Sequence, residues 1–426
     1  MLRLFAVARF PKPDFTSGYQ YPEIVHAMPW ETFWSWVDIV LLVAMMTLVT
    51  WAVHCPTFRR RPNRRLRRPG RPVVLTVSIV SVLYFGFFRT GCVCSIGAIQ
   101  NVVLALTDDG YRLPLVVLLL FLLPLAFALF FGRVFCAGVC PMGALQELVN
   151  VRSFRISRAV ASAMSFFPWI YLSFAILYAA TRSQFIICRF DPFVPIFRLS
   201  GDVGMIVFGV SLLLLSVFVG RPFCRFLCPY GAILGIVSSV AAKRVQVTKK
   251  PCINCTLCHN ACPVDAIREP YANKGAERRL AGVRRMLLYL VMLPLLTVGG
   301  GWLLSSQSDT LSIAHRDVYL YHLLTHDPVP TGEGSSYPAE VEAFHEMGRS
   351  MADLEVSVAA IRRQYHHWAW FAGALMGFVF GCKLIRLSVK RTRKTYEIEP
   401  SACVACGKCF DYCPQNIAIK DEQKCI

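Results

Sequence analysis

Two runs of cysteine carry the chemistry written most plainly in this chain. Cys252, Cys255, Cys258 and Cys262 follow a C-x-x-C-x-x-C-x-x-x-C-P spacing closed by Pro263, and Cys403, Cys406, Cys409 and Cys413 repeat it, closed by Pro414. In such a run three thiolates hold one [4Fe-4S] cluster, while the fourth, fixed by its proline, ligates the other cluster of a pair. The expected ligand sets are therefore crossed: Cys252, Cys255, Cys258 and Cys413 for one cluster, and Cys403, Cys406, Cys409 and Cys262 for the second. Zinc is the alternative, but a zinc ion takes four ligands, and two full runs at this spacing exceed its need. Cys255-x-x-Cys258-His259 also matches a c-type haem attachment motif; it lies inside the run, and His259 is read as incidental.

A second cysteine pattern is a repeat. Gly132-Arg133-Val134-Phe135-Cys136-Ala137-Gly138-Val139-Cys140-Pro141-Met142-Gly143-Ala144-Leu145 returns as Gly220-Arg221-Pro222-Phe223-Cys224-Arg225-Phe226-Leu227-Cys228-Pro229-Tyr230-Gly231-Ala232-Ile233, an offset of 88 residues (224 minus 136). Cys136, Cys140, Cys224 and Cys228 are the right number of thiolates for one further cluster; a redox-active dithiol and plain helix-turn cysteines are the alternatives. The Gly-Ala step after each Cys-Pro opens an apolar segment, so a helix N-terminus is expected to face the anionic sulfurs.

Weaker echoes precede each copy. Cys92-Val93-Cys94-Ser95-Ile96-Gly97-Ala98 repeats the Cys-x-x-Gly-Ala theme, and Cys188-Arg189-Phe190-Asp191-Pro192-Phe193 lies ahead of the second copy. Cys92, Cys94 and Cys188 are candidates for a cluster, a metal or a disulfide at the opposite face. A straight span separates them from Cys136 by roughly 30 Å of hydrocarbon, so sharing a site with the repeat requires the segment Ser95 to Leu106 to re-enter. Cys55, Cys382 and Cys425 fit no pattern and read as ordinary thiols.

The elements that position these thiols are membrane helices. Of 426 residues 55% are hydrophobic and only 17% charged, which excludes disorder, a small disulfide scaffold and an ordinary soluble globule. Runs near the ~20 residues a span needs cover Trp36 to Val53, Pro72 to Phe88, Leu113 to Phe131, Ala159 to Ala180, Val203 to Val219, Met286 to Leu304 and His367 to Leu387. No cleavable signal peptide is expected ahead of them. Arg59, Arg60, Arg61, Arg64, Arg65, Arg67, Arg68 and Arg71 crowd the loop after the first span, and Arg386, Lys390, Arg391, Arg393 and Lys394 follow the last. The positive-inside rule then places the N-terminus outside and the C-terminus with both long cysteine runs in the cytoplasm, in a bacterial inner membrane. The net charge of +19 is thereby a matter of topology and lipid, and no nucleic-acid partner is expected. Asp38 is nearly the only carboxylate in the spans, which disfavours an ion pump.

The fold class expected is an all-α multi-span membrane domain of about seven transmembrane helices with an internal repeat, plus a small α+β two-cluster ferredoxin-like domain split by a transmembrane hairpin. Its parts are an outer segment 1–35, the membrane domain 36–245 with both Cys-x-x-x-Cys-Pro turns, a ferredoxin half 246–284, a helix 285–304, an outer loop 305–366, a helix 367–387 and a second ferredoxin half 388–426. The outer loop is acidic, with nine Asp or Glu against four Lys or Arg between Ser305 and His366, and holds six of the nine histidines up to His367. His315, His322 and His326 recur on one helical face. They are candidates for metal or haem, though such a stripe more often forms a solvated or docking surface. His366 and His367, at the membrane edge, could serve proton release from a quinol.

In these residues the chain resembles the membrane polyferredoxins of the NapH/NosR/CcoG type. The resemblance runs from about Val73 to Ile419 and is carried by Phe223 to Ala232, by its copy Phe135 to Ala144, and by the two long cysteine runs. It implies an electron-transfer subunit linking the quinol pool or a cytoplasmic donor to a partner redox enzyme, within a membrane complex. The alternative is a regulatory or assembly protein whose clusters sense redox state. NosR-like members carry an outer flavin domain before the first span. Here about 35 residues precede it and no Ser/Thr-Gly-Ala-Thr flavin-attachment motif is found, so covalent FMN is not expected on this chain. The C-terminal sandwich domain of CcoG-like members, which serve copper handling, is likewise not seen.

Overall fold

A computed structural model describes residues 29–54, 70–91, 95–151, 153–245, 252–271, 279–326, 341, 343–344, 347–348, 350–389, 393 and 395–413. Cys92, Cys94, Cys55, Cys425, most of the arginine loop, the N-terminal segment and the tail after Cys413 lie outside those residues.

The chain is mostly helical because lipid offers backbone amides no partner, so a spanning segment must satisfy them internally. Among the described residues five helices are long and apolar enough to cross a membrane: Phe33–His54, Gly70–Phe88, Arg158–Ala180, Ala281–Ser305 and Met351–Ser388. The other two expected spans fall on apolar helices of 17 and 16 residues, Leu115–Phe131 and Val203–Phe218. These are roughly 26 and 24 Å long, somewhat under the hydrocarbon thickness. Each stops just before the glycine that opens a copy of the repeat, Gly132 in a left-handed conformation (φ 79°) in the first.

After each short span the chain turns back inward. Residues 135–139 form a π-helical turn whose Val139 carbonyl accepts the Ser81 hydroxyl at 2.6 Å. Ser81 lies eleven residues into the helix that begins at Gly70, about 16 Å along its axis. In the second copy the Tyr230 hydroxyl donates to the Phe121 carbonyl at 2.7 Å, ten residues from the end of Leu115–Phe131, about 15 Å deep. Both Cys-x-x-x-Cys-Pro turns thus pack about 15 Å along the neighbouring helices. The helices Pro141–Leu148 and Pro229–Ser239 start there, each with proline at its first position, where the missing N–H costs nothing.

The hairpin Arg279–Ser305 and Met351–Ser388 packs through small residues. Gly300 and Gly373 press on each other's carbonyls, and Gly377 on that of Leu296, the close backbone approach that drives helix association in lipid. The second helix, capped by Ser350, whose hydroxyl accepts the Asp353 amide at 3.2 Å, runs 38 residues. Its first turns extend past the membrane and bury Leu354 and Val358 against Val318, Leu320 and Phe344. The expected outer loop 305–366 is therefore in large part a small helical subdomain, since its apolar residues recur at helical spacing between the charged ones.

The ferredoxin part is thin. Two five-residue helices, Leu257–Ala261 and Lys408–Tyr412, flank an antiparallel ladder of β1 (Ile267–Arg268) on β2 (Glu397–Ile398), with Ile267 opposite Ile398. Its apolar side, Val264, Ala266, Val404 and Ala405, joins the core of the membrane domain.

Candidate metal centres

The two ferredoxin runs lie beside each other. Cys262 stands in electrostatic reach of Cys403, Cys406 and Cys409, and Cys413 stands beside Cys258, with Cys252 and Cys255 next to it. Cys409 also lies near Cys258, so the two sets are neighbours. Burial, with the crowding of like groups, pushes the Cys403 thiol up to about 12 and that of Cys262 up to about 11. Backbone amides already aim at the sulfurs: Ala266 N–H at Cys262 Sγ, 3.2 Å, and Ala405 N–H at Cys403 Sγ, 3.4 Å. Such donors favour the charged thiolate, so the donor set fits an iron–sulfur cluster. Among the described residues no three His, Cys, Asp or Glu side chains converge on a single ion-sized point; a cubane spreads its ligands over separate iron corners. His259 is buried and holds the ladder instead, its ring bonded to the Ile267 carbonyl at 2.9 Å and to Glu269 at 2.9 Å.

The repeat cysteines gather as well. Cys228 lies in reach of Cys224, Cys140 and Cys136. Cys140 and Cys228 are the N-cap residues of the two inward helices, and the Gly231 N–H donates to Cys228 Sγ at 3.2 Å. The glycine after each Cys-Pro makes room. A Cβ on Gly143 meets Cys224 Sγ at 3.4 Å, and one on Gly231 meets the Cys224 carbonyl at 3.0 Å and Arg133 Nη2 at 3.1 Å.

Sequence reasoning missed the residues around this set. Arg133 and Arg221, the second residue of each copy, are both buried. Arg133 reaches from Cys136 Sγ (3.9 Å) to the Ser401 carbonyl of the ferredoxin part (3.1 Å) and lies near Cys403. Arg221 bonds the Cys136 and Ala137 carbonyls and lies between Cys224 and Cys406. Both cations thus stand between the repeat thiols and the second ferredoxin set. Their repetition at the 88-residue offset was the available signal.

Glu147 ties this region together. Its buried carboxylate binds Arg221 at 3.1 Å and Lys408 at 3.0 Å, and pairs with Arg71, which also donates to the Cys406 carbonyl. Burial alone raises a carboxyl pKa, but Arg221, Lys408 and Arg71 outweigh it and hold Glu147 at about 2. Gln146 beside it accepts the Phe223 amide at 3.0 Å and turns its own amide toward Cys224 Sγ at 3.5 Å.

The remaining candidates are not assembled in the same way. Cys188 is exposed. His322 is exposed on the helix Arg316–His326, His315 accepts the Asp317 amide at 3.2 Å, and the His326 side chain lies outside the described residues. His366 bonds the Ser305 hydroxyl at 2.9 Å. Asp38 pairs with Arg89 at 2.8 Å.

Comparison with known proteins agrees with this chemistry. A 4Fe-4S binding domain matches twice, over residues 113–159 and 202–248, each holding one Cys-x-x-x-Cys-Pro turn, and another 4Fe-4S binding domain matches 245–268. The protein MJ0750 of Methanocaldococcus jannaschii is 29% identical over 43% of this chain and 77% of its own length. The regulatory protein NosR of Stutzerimonas stutzeri is 27% identical over 56% of this chain and 35% of its own. The ferredoxin-type protein NapH of Haemophilus influenzae is 26% identical over 37% and 56%. The match thus spans about a third of NosR and just over half of NapH. No solved structure matches. In its cysteine sets and membrane helices, the chain is similar to the NapH/NosR-type 4Fe-4S membrane ferredoxins.

Proposed function

We propose that the chain is a one-electron relay. Cys252, Cys255, Cys258 and Cys413 would hold one cluster, Cys403, Cys406, Cys409 and Cys262 a second, and Cys136, Cys140, Cys224 and Cys228 a third, and the three would supply one-electron carriers in that order. The observation that carries this reading is the position of Arg133 and Arg221, each reaching both the repeat thiols and the second ferredoxin set. A cation between two centres stabilises the more negative, reduced state of both, and a polar bridge of this kind links them without an intervening gap. Clusters supply one-electron redox chemistry; the chain's own residues hold them, tune them and exclude water.

On the positive-inside reading the ferredoxin part faces the cytoplasm and the subdomain 305–366 faces outward. A cytoplasmic donor or the quinol pool then supplies electrons to a partner redox enzyme, and flavin, where the circuit needs it, belongs to that partner. The printed name of NosR, a regulatory protein, favours one second reading, in which the clusters sense redox state or support maturation of a metalloenzyme. Cys406→Ala separates the two. An electron conduit loses turnover while its partner enzyme stays fully metallated; a maturation factor leaves that partner without its metal.

A further inference from the structure

The two copies of the repeat are alike in their cysteines and unlike in charge. Glu147 has Gly235 at the same place in the second copy, since 235 minus 147 is again 88, and Gln146 has Leu234. The contacts cross between copies. Glu147 of the first copy holds Arg221, the second residue of the second copy, with Oε2 3.1 Å from Nε. By the same pairing Arg133, the second residue of the first copy, would meet a carboxylate at position 235, where glycine stands instead.

The ferredoxin part fills that place. A Cβ on Gly235 would meet the Ser401 carbonyl at 3.1 Å, and the same carbonyl accepts Arg133 Nη1 at 3.1 Å. Glycine thus admits a neutral backbone oxygen where the first copy supplies a charged one. The carboxylate two residues before Ser401, Glu399, is taken by Arg268 and Arg386. Leu234, at the place from which Gln146 turns its amide toward Cys224 Sγ, has no donor to give.

Arg133 is therefore a buried cation, 7% exposed, with no ion pair among the described residues. Its Nη2 lies 3.9 Å from Cys136 Sγ, and its Nε is buried without a hydrogen-bond partner among the described residues. A guanidinium keeps its proton inside a protein, and a buried charge without a counter-ion is costly. The groups left to balance it are thiolates: Cys136 in contact, and Cys224 in electrostatic reach. Arg221, by contrast, has a carboxylate oxygen against it, although Arg71 and Lys408 share that group.

We propose that Gly235 sets the redox potential of the repeat site by withholding a carboxylate from Arg133. The positive charge is then left for the cluster of Cys136, Cys140, Cys224 and Cys228 to balance, which favours that cluster's more negative, reduced state. The inference rests on the relay reading, in which those thiols hold a cluster. It adds that the two copies are unequal and that one position controls how readily the third carrier accepts its electron. The transfer it tunes moves one electron between the second ferredoxin set and the repeat set, oxidising one as it reduces the other, with no bond made or broken.

The test is a redox titration followed by electron paramagnetic resonance, with iron and acid-labile sulfide counted, on the full chain purified anaerobically in detergent. Gly235→Glu gives Arg133 the carboxylate that Arg221 has, and Gly235→Gln carries the same bulk without the charge. At equal iron, the Glu variant is expected to bring the repeat signal's midpoint below that of the Gln variant by about tenfold in the reduction equilibrium, about 59 mV for one electron. Arg133→Gln is expected to lower the midpoint of the unaltered chain in the same direction, and Arg133→Lys, which keeps the charge, to stay above Arg133→Gln. Equal midpoints in Gly235→Glu and Gly235→Gln at full iron mean that glycine there serves only the close approach of Ser401, and overturn the inference. Should neither Gly235 variant hold its iron, equal midpoints in Arg133→Gln and Arg133→Lys overturn it as well. About eight iron in the unaltered chain, without a third titrating signal, is the failure of the relay reading's repeat cluster; about twelve with no charge-dependent midpoint is the failure of this inference alone.

Discussion

The ferredoxin part and the repeat site solve one problem, holding thiolates close together, in opposite ways. Among the described residues of the ferredoxin part the regular structure is two single-turn helices, a two-residue ladder and the Tyr271–Arg393 bridge, little to hold Cys403 and Cys262 together against the burial that raises their thiols. The cluster itself must complete that fold, as metals do in other small domains. The repeat site sits inside a finished protein. Two helix starts, paired glycines, Gln146 and two buried arginines are in place around its four thiols, all of them anchored to long membrane helices. The difference separates a site folded by its cofactor from one that is preorganised for it, and mutations should read it out.

Iron removal should have the largest effect and the most uneven one. Chelation under reducing conditions is expected to abolish hydrogen-exchange protection in 252–271 and 395–413, while helical circular dichroism from the membrane domain stays. Equal loss in both regions breaks the contrast.

Next in size is Glu147→Gln, which leaves the buried Arg221 and the half-buried Arg71 and Lys408 around a neutral amide. Removing one partner of such a network typically costs about 3–5 kcal/mol, and here the loss should appear as release of the second ferredoxin half from the membrane domain. The pH dependence has a definite sign. Glu147 titrates at about 2 in the folded chain against an ordinary 4.5, so its stabilisation is complete above 4.5 and is lost as the pH falls toward 2. The Gln variant should lack that acid limb in a thermal-melting series.

Gly231→Ala acts on the preorganised site alone. Its methyl group meets the Cys224 carbonyl and Arg133 at about 3 Å, an overpacking expected to cost about 1–3 kcal/mol. Iron content should fall by about four per chain with the ferredoxin spectrum retained. Smallest of all is Glu397→Gln, which removes a largely exposed partner of Arg393, 3.5 Å away. Below about 1 kcal/mol is expected from thermal melting, and a larger loss would mean that the short ladder carries more of the fold than its size suggests.

Much of this was legible in the residues. Spacing alone paired Cys262 with the second run and Cys413 with the first, because proline-closed runs encode their own crossing. The 88-residue repeat brought Cys136, Cys140, Cys224 and Cys228 to one place. The depth of that place was not legible. Hydropathy sees the length of an apolar run and not a reversal after it, so two helices of 17 and 16 residues read as ordinary spans. Arg133, Arg221 and Glu147 were passed over because charges beside a membrane are first read as topology. Gln146 drew no notice because a glutamine in an apolar helix declares no partner until the facing backbone is placed.

The relay stands most directly on the count and coupling of its clusters. Protein purified anaerobically and reduced with dithionite should contain about twelve iron per chain from the three sets. Its resonance spectrum should show cubane signals broadened by mutual interaction between the repeat cluster and the second ferredoxin cluster. About eight iron or fewer, or cubane signals that behave as isolated centres in the presence of Arg133 and Arg221, would contradict it.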